Sequence, residues 1–409
     1  MWFKSRFTIS SVIAISFCFI NGTVPVAADI LHVPGDFPTI QAGINAAQAG
    51  DEVVVADGIY TGPGNRNILF AGRAITLRSE NGPTNCIIDC ESLGRGFIFY
   101  ELDTPATIVE GFTITNGLGH PGGAIYAYYF SSPTIKNCII TGNAGDAGGG
   151  GGFYCAMCFS TISNTIITGN TANGNGGGIY SEGGDLTIIN SLISENTASL
   201  SGGGVYSDWG STTIINSIFA GNSAANLAGG GYFGGKSNPS ITNSVFWGNG
   251  PESIYSGLYN GLEVSYSNIQ GDWPGAGNIN QNPMFVNPAN GDYYLSFDSP
   301  CIDAGINAAV PLGTVTDLAG NTRFVDDPNT KDTGLGKPPL VDIGALEFQV
   351  IVQCPWDLDA NQSVGISDLL ILFAAWGPVP TPDPPDFDGD SIVNTTDLLI
   401  LFANWGPCP

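Results

Sequence analysis

Between Gly122 and Asn249, apolar, small and polar positions follow a schedule that repeats five times. A glycine-rich entry leads to an aromatic at Tyr126, Tyr154, Tyr180, Tyr206 and Phe233, at spacings of 28, 26, 26 and 27 residues. One asparagine recurs at Asn137, Asn164, Asn190, Asn216 and Asn243, and a second at Asn143, Asn170, Asn196, Asn222 and Asn249. Each unit holds two or three short runs rich in Ile, Val, Thr and Phe, bounded by Gly, Asn and Ser, and such runs read as strands. No unit has a helix-length apolar period. One unit cannot bury its own apolar face, whereas stacked coils can, so the period predicts a parallel β-helix.

The strand period of two assigns the faces. In the glycine-led strand, positions 125, 153, 179, 205 and 232 carry Ile, Phe, Ile, Val and Tyr, followed two residues on by Ala127, Cys155, Ser181, Ser207 and Gly234. This apolar-then-small set is expected inside the coil. The alternating set, Tyr126, Tyr154, Tyr180, Tyr206 and Phe233, is expected outside, with Glu182 and Asp208 two residues beyond their aromatics. Aromatic faces suit sugar rings, so this is the candidate carbohydrate face. Rungs about 4.8 Å apart would also stack on one another and show edges to solvent. The asparagines are expected to ladder at turns, where their side chains satisfy backbone groups and tolerate left-handed backbone.

The paired signals, a GGxI/V-aromatic entry and a hydrophobic-x-x-Asn ending (Ile140 to Asn143, Phe219 to Asn222, Phe246 to Asn249), resemble the repeats of polymorphic outer-membrane proteins. The wider resemblance, over residues 29–348, is to right-handed parallel β-helix proteins of the pectin-lyase-like superfamily. That fold hosts lyases, hydrolases, esterases and adhesins alike, so the resemblance implies the fold rather than an activity.

Residues 1–28 read as a signal peptide: Lys4 and Arg6, an apolar run from Phe7 to Ile20, then Val26-Ala27-Ala28. The expected location is secreted, extracellular or cell-surface, and no later stretch is long enough to span a membrane. The chain has 36 acidic and 11 basic residues and a net charge of −25, which makes nucleic acid a poor partner and polyuronates poor ones unless a cation bridges them. Of nine cysteines, Cys18 falls in the leader, and the even remainder suggests disulfides. Cys155-x-x-Cys158 reads as a structural bridge or buried thiols.

Residues 29–110 are expected to hold an N-terminal cap and the first coils. Ile40, Ile44 and Ala47 lie on one face of a short helix whose first turn suits Pro38, with Gly50 as a stop and Val53 to Val55 beginning the first strand. Arg66, Arg73, Arg78 and Arg95 are expected to pair with Asp89, Glu91, Glu101 and Asp103. Residues 111–270 are the repeats. Residues 271–348 change style, and Asn-Pro-x-Phe, Ser-Pro-Cys-Ile-Asp-Ala-Gly and Asp342-Ile-Gly-Ala-Leu-Glu347 resemble a closing segment called the choice-of-anchor Q domain. Such a segment would cap the last coil, with Arg323 pairing to Asp317, Asp342 or Glu347.

Residues 349–409 read as a separate domain with a phrase duplicated at an offset of 29. The first loop offers Asp357, Asp359, Asn361, the Ser363 carbonyl and Asp368 at positions 1, 3, 5, 7 and 12, and the second offers Asp386, Asp388, Asp390, the Ile392 carbonyl and Asp397. This is the ligand spacing of a Ca²⁺ loop feeding a helix, one Ca²⁺ for each loop. It resembles a type I dockerin, departing from the loop pattern at Gln362 and Ser391, where glycine is usual. The resemblance implies a cohesin-like or cell-surface protein partner for residues 354–408. Cys354 and Cys408 flank the domain and are candidates for a disulfide.

The fold class is therefore all-β, a parallel β-helix solenoid with a small α-helical Ca²⁺-loop domain. The repeats show no Asn-Thr-Asp, no Gly-His-Gly and no strand pairing Arg with acids, so no catalytic residue is assigned. Glu182 and Asp208 are the nearest acids to a pair. The leading expectation is an exported non-enzymatic β-helix that binds carbohydrate and attaches through its C-terminal domain. The alternative is a polysaccharide lyase or glycoside hydrolase.

Overall fold

The computed structural model describes residues 28–100, 102–225, 228–236, 238–257, 261–349, 355–359, 363–379 and 385–407. The leader before residue 28, Glu101, Cys354, Asn361, Gln362 and Cys408 lie outside the described residues.

The expected parallel β-solenoid forms, with about nine turns and few helices. Its strands stack into a ten-stranded sheet, a nine-stranded sheet and an eight-stranded sheet, all pairing parallel. A narrow five-stranded sheet of two-residue strands is a fourth side that the repeat pattern did not suggest. One coil runs from Ile125–Tyr128 in the eight-stranded sheet to Thr134–Lys136 in the ten-stranded one, then to Ile139–Thr141 in the nine-stranded one.

The interior is the face set read from the alternation. Ile125, Phe153, Ile179, Val205 and Tyr232 are fully buried, and so are Ala127 and Cys155 below them. Burying each large apolar side chain stabilises the coil by roughly 1.5–3 kcal/mol, and neighbouring coils share these contacts. Tyr126 pairs with Tyr154, Tyr154 with Tyr180 and Tyr180 with Tyr206 in register. A slipped register would turn every interior residue outward.

Both asparagine sets stack in register, but only the second bonds continuously: in the first, Asn190 donates to Asn164 and Asn243 to Asn216, with no bond between Asn190 and Asn216. Asn137, Asn164, Asn190, Asn216 and Asn243 take φ of 47–53°, the left-handed region that turns the chain from the ten-stranded to the nine-stranded sheet. Asn143, Asn170, Asn196, Asn222 and Asn249 are buried, and each Nδ2 donates to the next Oδ1 at 2.9–3.0 Å. The same Nδ2 groups satisfy carbonyls of the coil below, such as Ile140 and Ile167.

Helix α1 (Ile40–Ala46) buries Ile40 and Ile44 against the first coils, with Ala47 buried just beyond it. It starts later than Pro38 implied: Thr39 is the N-cap, its hydroxyl accepting from the Ala42 N–H. The first strand is also earlier than expected, Ile30–Val33, paired with Glu52–Val55.

The segment after the repeats does more than meet the last coil. Tyr293, Leu295, Cys301, Ile302, Ile343 and Leu346 pack with Leu192, Ile218, Ala220 and Val245, the outward residues of the nine-stranded sheet. Asn243 Nδ2 donates to the Ile306 carbonyl at 3.0 Å, and Asn190 Nδ2 to the Thr316 carbonyl at 3.3 Å. The segment therefore runs back along the side of the solenoid. Arg323 is fully buried, with Nε 3.5 Å from Glu347, and donates to the Gly344 carbonyl at 2.5 Å. Burial pushes the Asp342 and Glu347 carboxyls above their usual range.

The C-terminal unit is a pair of matching halves. Helices α2 (Ile366–Ala374) and α3 (Thr395–Ala403) contribute Leu372 and Leu401 to a core with Val364 and Val393. Ser363–Val364 pairs antiparallel with Gly406–Pro407, and Gly377–Pro378 with Ile392–Val393, so each loop is tied to the chain leaving the other helix.

Cysteine use departs from a disulfide framework. Cys155 and Cys158 form a disulfide, but Cys86, Cys90, Cys138 and Cys301 are buried free thiols, each pushed up to about 12 chiefly by burial. Among the described residues no helix is long and apolar enough to cross a membrane.

Candidate functional site

The outward aromatics form one continuous stack on the eight-stranded sheet. Ring centroids lie 5.5 Å apart for Tyr126–Tyr154, 4.9 Å for Tyr154–Tyr180, 5.2 Å for Tyr180–Tyr206 and 4.9 Å for Tyr206–Phe233. Tyr255 extends the stack beyond Phe233 at 4.9 Å, and Arg95 closes the other end, 5.2 Å from the Tyr126 ring. The planes are within 12° of parallel, so the rings spend their faces on one another. What they offer solvent is edges and hydroxyls.

Glu182 and Asp208 do occupy adjacent rungs. Each is already engaged. Glu182 Oε2 accepts from the Tyr180 hydroxyl at 2.6 Å, and Asp208 Oδ1 accepts from the N–H groups of Lys236 and Trp209 at 2.7 and 3.1 Å.

A second group of aromatic rings, strongly exposed, lies one step further along, at the turn leaving these strands. Tyr129 is 54 % exposed, Phe130 51 %, Phe159 43 % and Trp209 59 %. Tyr129 meets Phe130 edge-on at 5.4 Å, Phe130 stacks on Phe159 at 6.5 Å, and Lys236 Nζ sits 4.2 Å from the Trp209 ring centre. Tyr129, Met157, Gly183 and Trp209 follow registered positions in four successive coils. The patch therefore spans three coil steps, roughly 14 Å at the usual strand spacing. The intervening turn is low: Gly183 fills the position with φ of 70°. Tyr129, Phe130 and Trp209 hold the same left-handed backbone, with φ of 55–60°, where a bulky side chain is costly. Alternation could not reveal this patch, because it marks strand faces, not turns. The consecutive Tyr128-Tyr129-Phe130 was the available signal.

Among the described residues, the basic side chains do not gather into an anion site. Arg66 pairs with Glu91 as expected, but Arg78 pairs with Glu52, Arg73 donates to the Phe70 carbonyl, and Arg95 donates to the carbonyls of Pro121 and Gly122. Lys136 pairs with Glu110 at 2.8 Å. His120 pairs with Asp146.

In the C-terminal unit, carboxylate oxygens of Asp357, Asp359 and Asp368 lie within 4.8 Å of one another, and so do those of Asp386, Asp388 and Asp390. The donors are oxygens only, held in short turns: Asp386 accepts from the N–H groups of Gly389 and Ser391, and Asp390 from that of Ile392. Such a set fits a hard divalent cation. The twelfth-position residues are buried and anchored to backbone. Asp368 accepts from Leu358, Asp359 and Gly365, and Asp397 from Phe387, Asp388 and Asn394. Ser363 and Ile392, whose carbonyls the spacing offers as ligands, stand on the paired strands.

A family description, "Right handed beta helix region", matches residues 40–193. The chain is similar in fold to a solved structure titled "Crystal structure of pectate lyase Pel9A", at 16 % sequence identity and a TM-score of 0.51, over 80 % of this chain and 98 % of that one. No curated protein matches the chain. The molecule has a right-handed β-helix with a pectate lyase-like fold.

Proposed function

We propose that this chain is an exported β-helix protein that holds a neutral polysaccharide on the aromatic turn patch and is tethered through a dockerin-like C-terminal module carrying two Ca²⁺ ions. The observation that carries the reading is the exposed patch of Tyr129, Phe130, Phe159 and Trp209, three of which, Tyr129, Phe130 and Trp209, are kept at left-handed turn positions that glycine occupies more cheaply. Sugar rings present C–H faces that stack on such surfaces, and an exposed apolar patch marks a contact site. The net charge of −25 favours an uncharged glycan over a polyuronate.

In the C-terminal module, Asp357, Asp359 and Asp368, with Asp386, Asp388 and Asp390, would hold the ions, joined by the expected Asn361, Ser363, Ile392 and Asp397. Ca²⁺ would fix the entry of α2 and α3. Ile366, Leu370, Phe373, Leu399 and Phe402 are exposed on those helices, which suits a protein partner of the cohesin kind. The closing segment, choice-of-anchor Q-like in its motifs, links this module to the solenoid. Residues 1–28 serve as the export signal.

A second reading, a polysaccharide lyase or glycoside hydrolase, draws on the likeness to pectate lyase Pel9A and on the adjacent Glu182 and Asp208. One experiment separates the two. The protein is incubated with Ca²⁺ and a panel of neutral and uronate polysaccharides, and bound protein and released oligosaccharide are measured in each tube. Binding to a neutral polymer without fragments is expected. Fragments abolished by Glu182→Gln or Asp208→Asn would establish the enzyme instead.

A further inference from the structure

The closing segment gathers a third set of acids. Asp303 is fully buried. Its N–H donates to Asp342 Oδ1 at 2.8 Å, its carbonyl accepts from the N–H groups of Thr333 and Gly334 at 3.1 and 3.0 Å, and its Oδ2 accepts from the Asp327 N–H at 3.2 Å. Its Oδ1 is buried with no hydrogen-bond partner. An ionised oxygen removed from water without a donor is costly, and native proteins pair such atoms or give them a metal. Asp326 and Asp332, both exposed, complete the group: one carboxylate oxygen from each of the three lies within 4.8 Å of the others. Three like charges this close repel one another. Among the described residues no lysine or arginine pairs with any of them.

We propose that Asp303, Asp326 and Asp332 form a further divalent-cation site, filled by Ca²⁺, that pins the loop of residues 326–333 to the body of the closing segment. The donors are oxygen only, with no histidine or cysteine, which disfavours Zn²⁺ and copper. One buried and two loop-borne carboxylates make an irregular site, which Ca²⁺ accepts more readily than Mg²⁺ does. The loop carries its own hydrogen bonds, Asp327 accepting from the Asn329 N–H and the Thr330 hydroxyl, so it is shaped before the ion arrives. The site is separate from the C-terminal loops and does not depend on a carbohydrate role.

The test uses the full chain with the C-terminal loops silenced by Asp357→Asn, Asp359→Asn, Asp386→Asn and Asp388→Asn. Calorimetric titration with CaCl₂ is expected to find one remaining ion, lost when Asp326→Asn and Asp332→Asn are added. Those two positions are exposed, so the substitutions leave the core intact, as circular dichroism would verify. A silenced chain that binds no Ca²⁺, or binds it equally after the added changes, overturns the proposal. Lys331, inside the loop, gives a second readout on the wild-type chain. At Ca²⁺ tenfold above Kd, cleavage after Lys331 by a lysine-specific protease is expected to slow roughly tenfold relative to EDTA. In the Asp326→Asn, Asp332→Asn chain the rates with Ca²⁺ and with EDTA are expected to agree. An unchanged wild-type ratio contradicts the site.

Discussion

Ser391 occupies the sixth position of the second acidic loop with φ of 69°, the left-handed backbone that a glycine takes without strain. The sequence marked this position as a departure from the loop pattern, and the departure is a strained one, because the turn is set by Asp386 and Asp390 regardless of which residue stands there. Ser391→Gly should therefore stabilise the C-terminal unit by about 0.5–1 kcal/mol, read as a higher urea midpoint for that unit. The outward tyrosines were legible for the opposite reason. A strand alternates its faces whatever its neighbours do, so Tyr126 to Phe233 could be placed outside from spacing alone. Tyr129 and Trp209 could not, since a turn's φ depends on how the coils stack.

Among the elements, the buried asparagine ladder is the most demanding. Asn196 Oδ1 accepts from the Asn170 N–H and side chain, and its Nδ2 satisfies the Ile167 carbonyl and Asn222 Oδ1. Asn196→Ala leaves several of these buried groups unpaired at about 1–3 kcal/mol each, and a loss of roughly 3–5 kcal/mol is expected from denaturant titration. The tyrosine ladder predicts a pH response. Burial first, then nearby carboxylates, push Tyr154 and Tyr206 up to about 12, with Tyr126 and Tyr128 adding to the effect on Tyr154, and Tyr180 is raised further by burial and its bond to Glu182. The folded state thus keeps protons that an unfolded tyrosine releases near pH 10. The ladder's contribution is complete below pH 10 and is lost as pH climbs toward 12. Absorbance at 295 nm should show these phenols ionising together with unfolding, and ionisation at pH 10 in the folded protein would contradict the stack.

At the scale of the whole molecule, the repeat pattern carried the solenoid because each coil is a local solution copied along one axis. The closing segment meets the last coil, as expected, through Asn268 and Gln281, but its run back along the solenoid was not legible because those partners are long-range. A signal was present: Leu192, Ile218 and Val245 put apolar residues on the outward face of strands whose inward residues are also apolar. The segment shields that side of the solenoid, while the eight-stranded sheet keeps its aromatic turn open. The proposed function puts recognition at the turn patch rather than at the ladder beside it. The most direct test is the affinity of Trp209→Ala for the neutral polysaccharide that the wild-type chain binds best, measured by affinity electrophoresis with Tyr180→Phe as the comparison. Removal of the Trp209 face is expected to weaken binding about tenfold, roughly 1.4 kcal/mol, while Tyr180→Phe leaves it unchanged. Wild-type affinity in Trp209→Ala, with binding lost in Tyr180→Phe, would contradict the assignment.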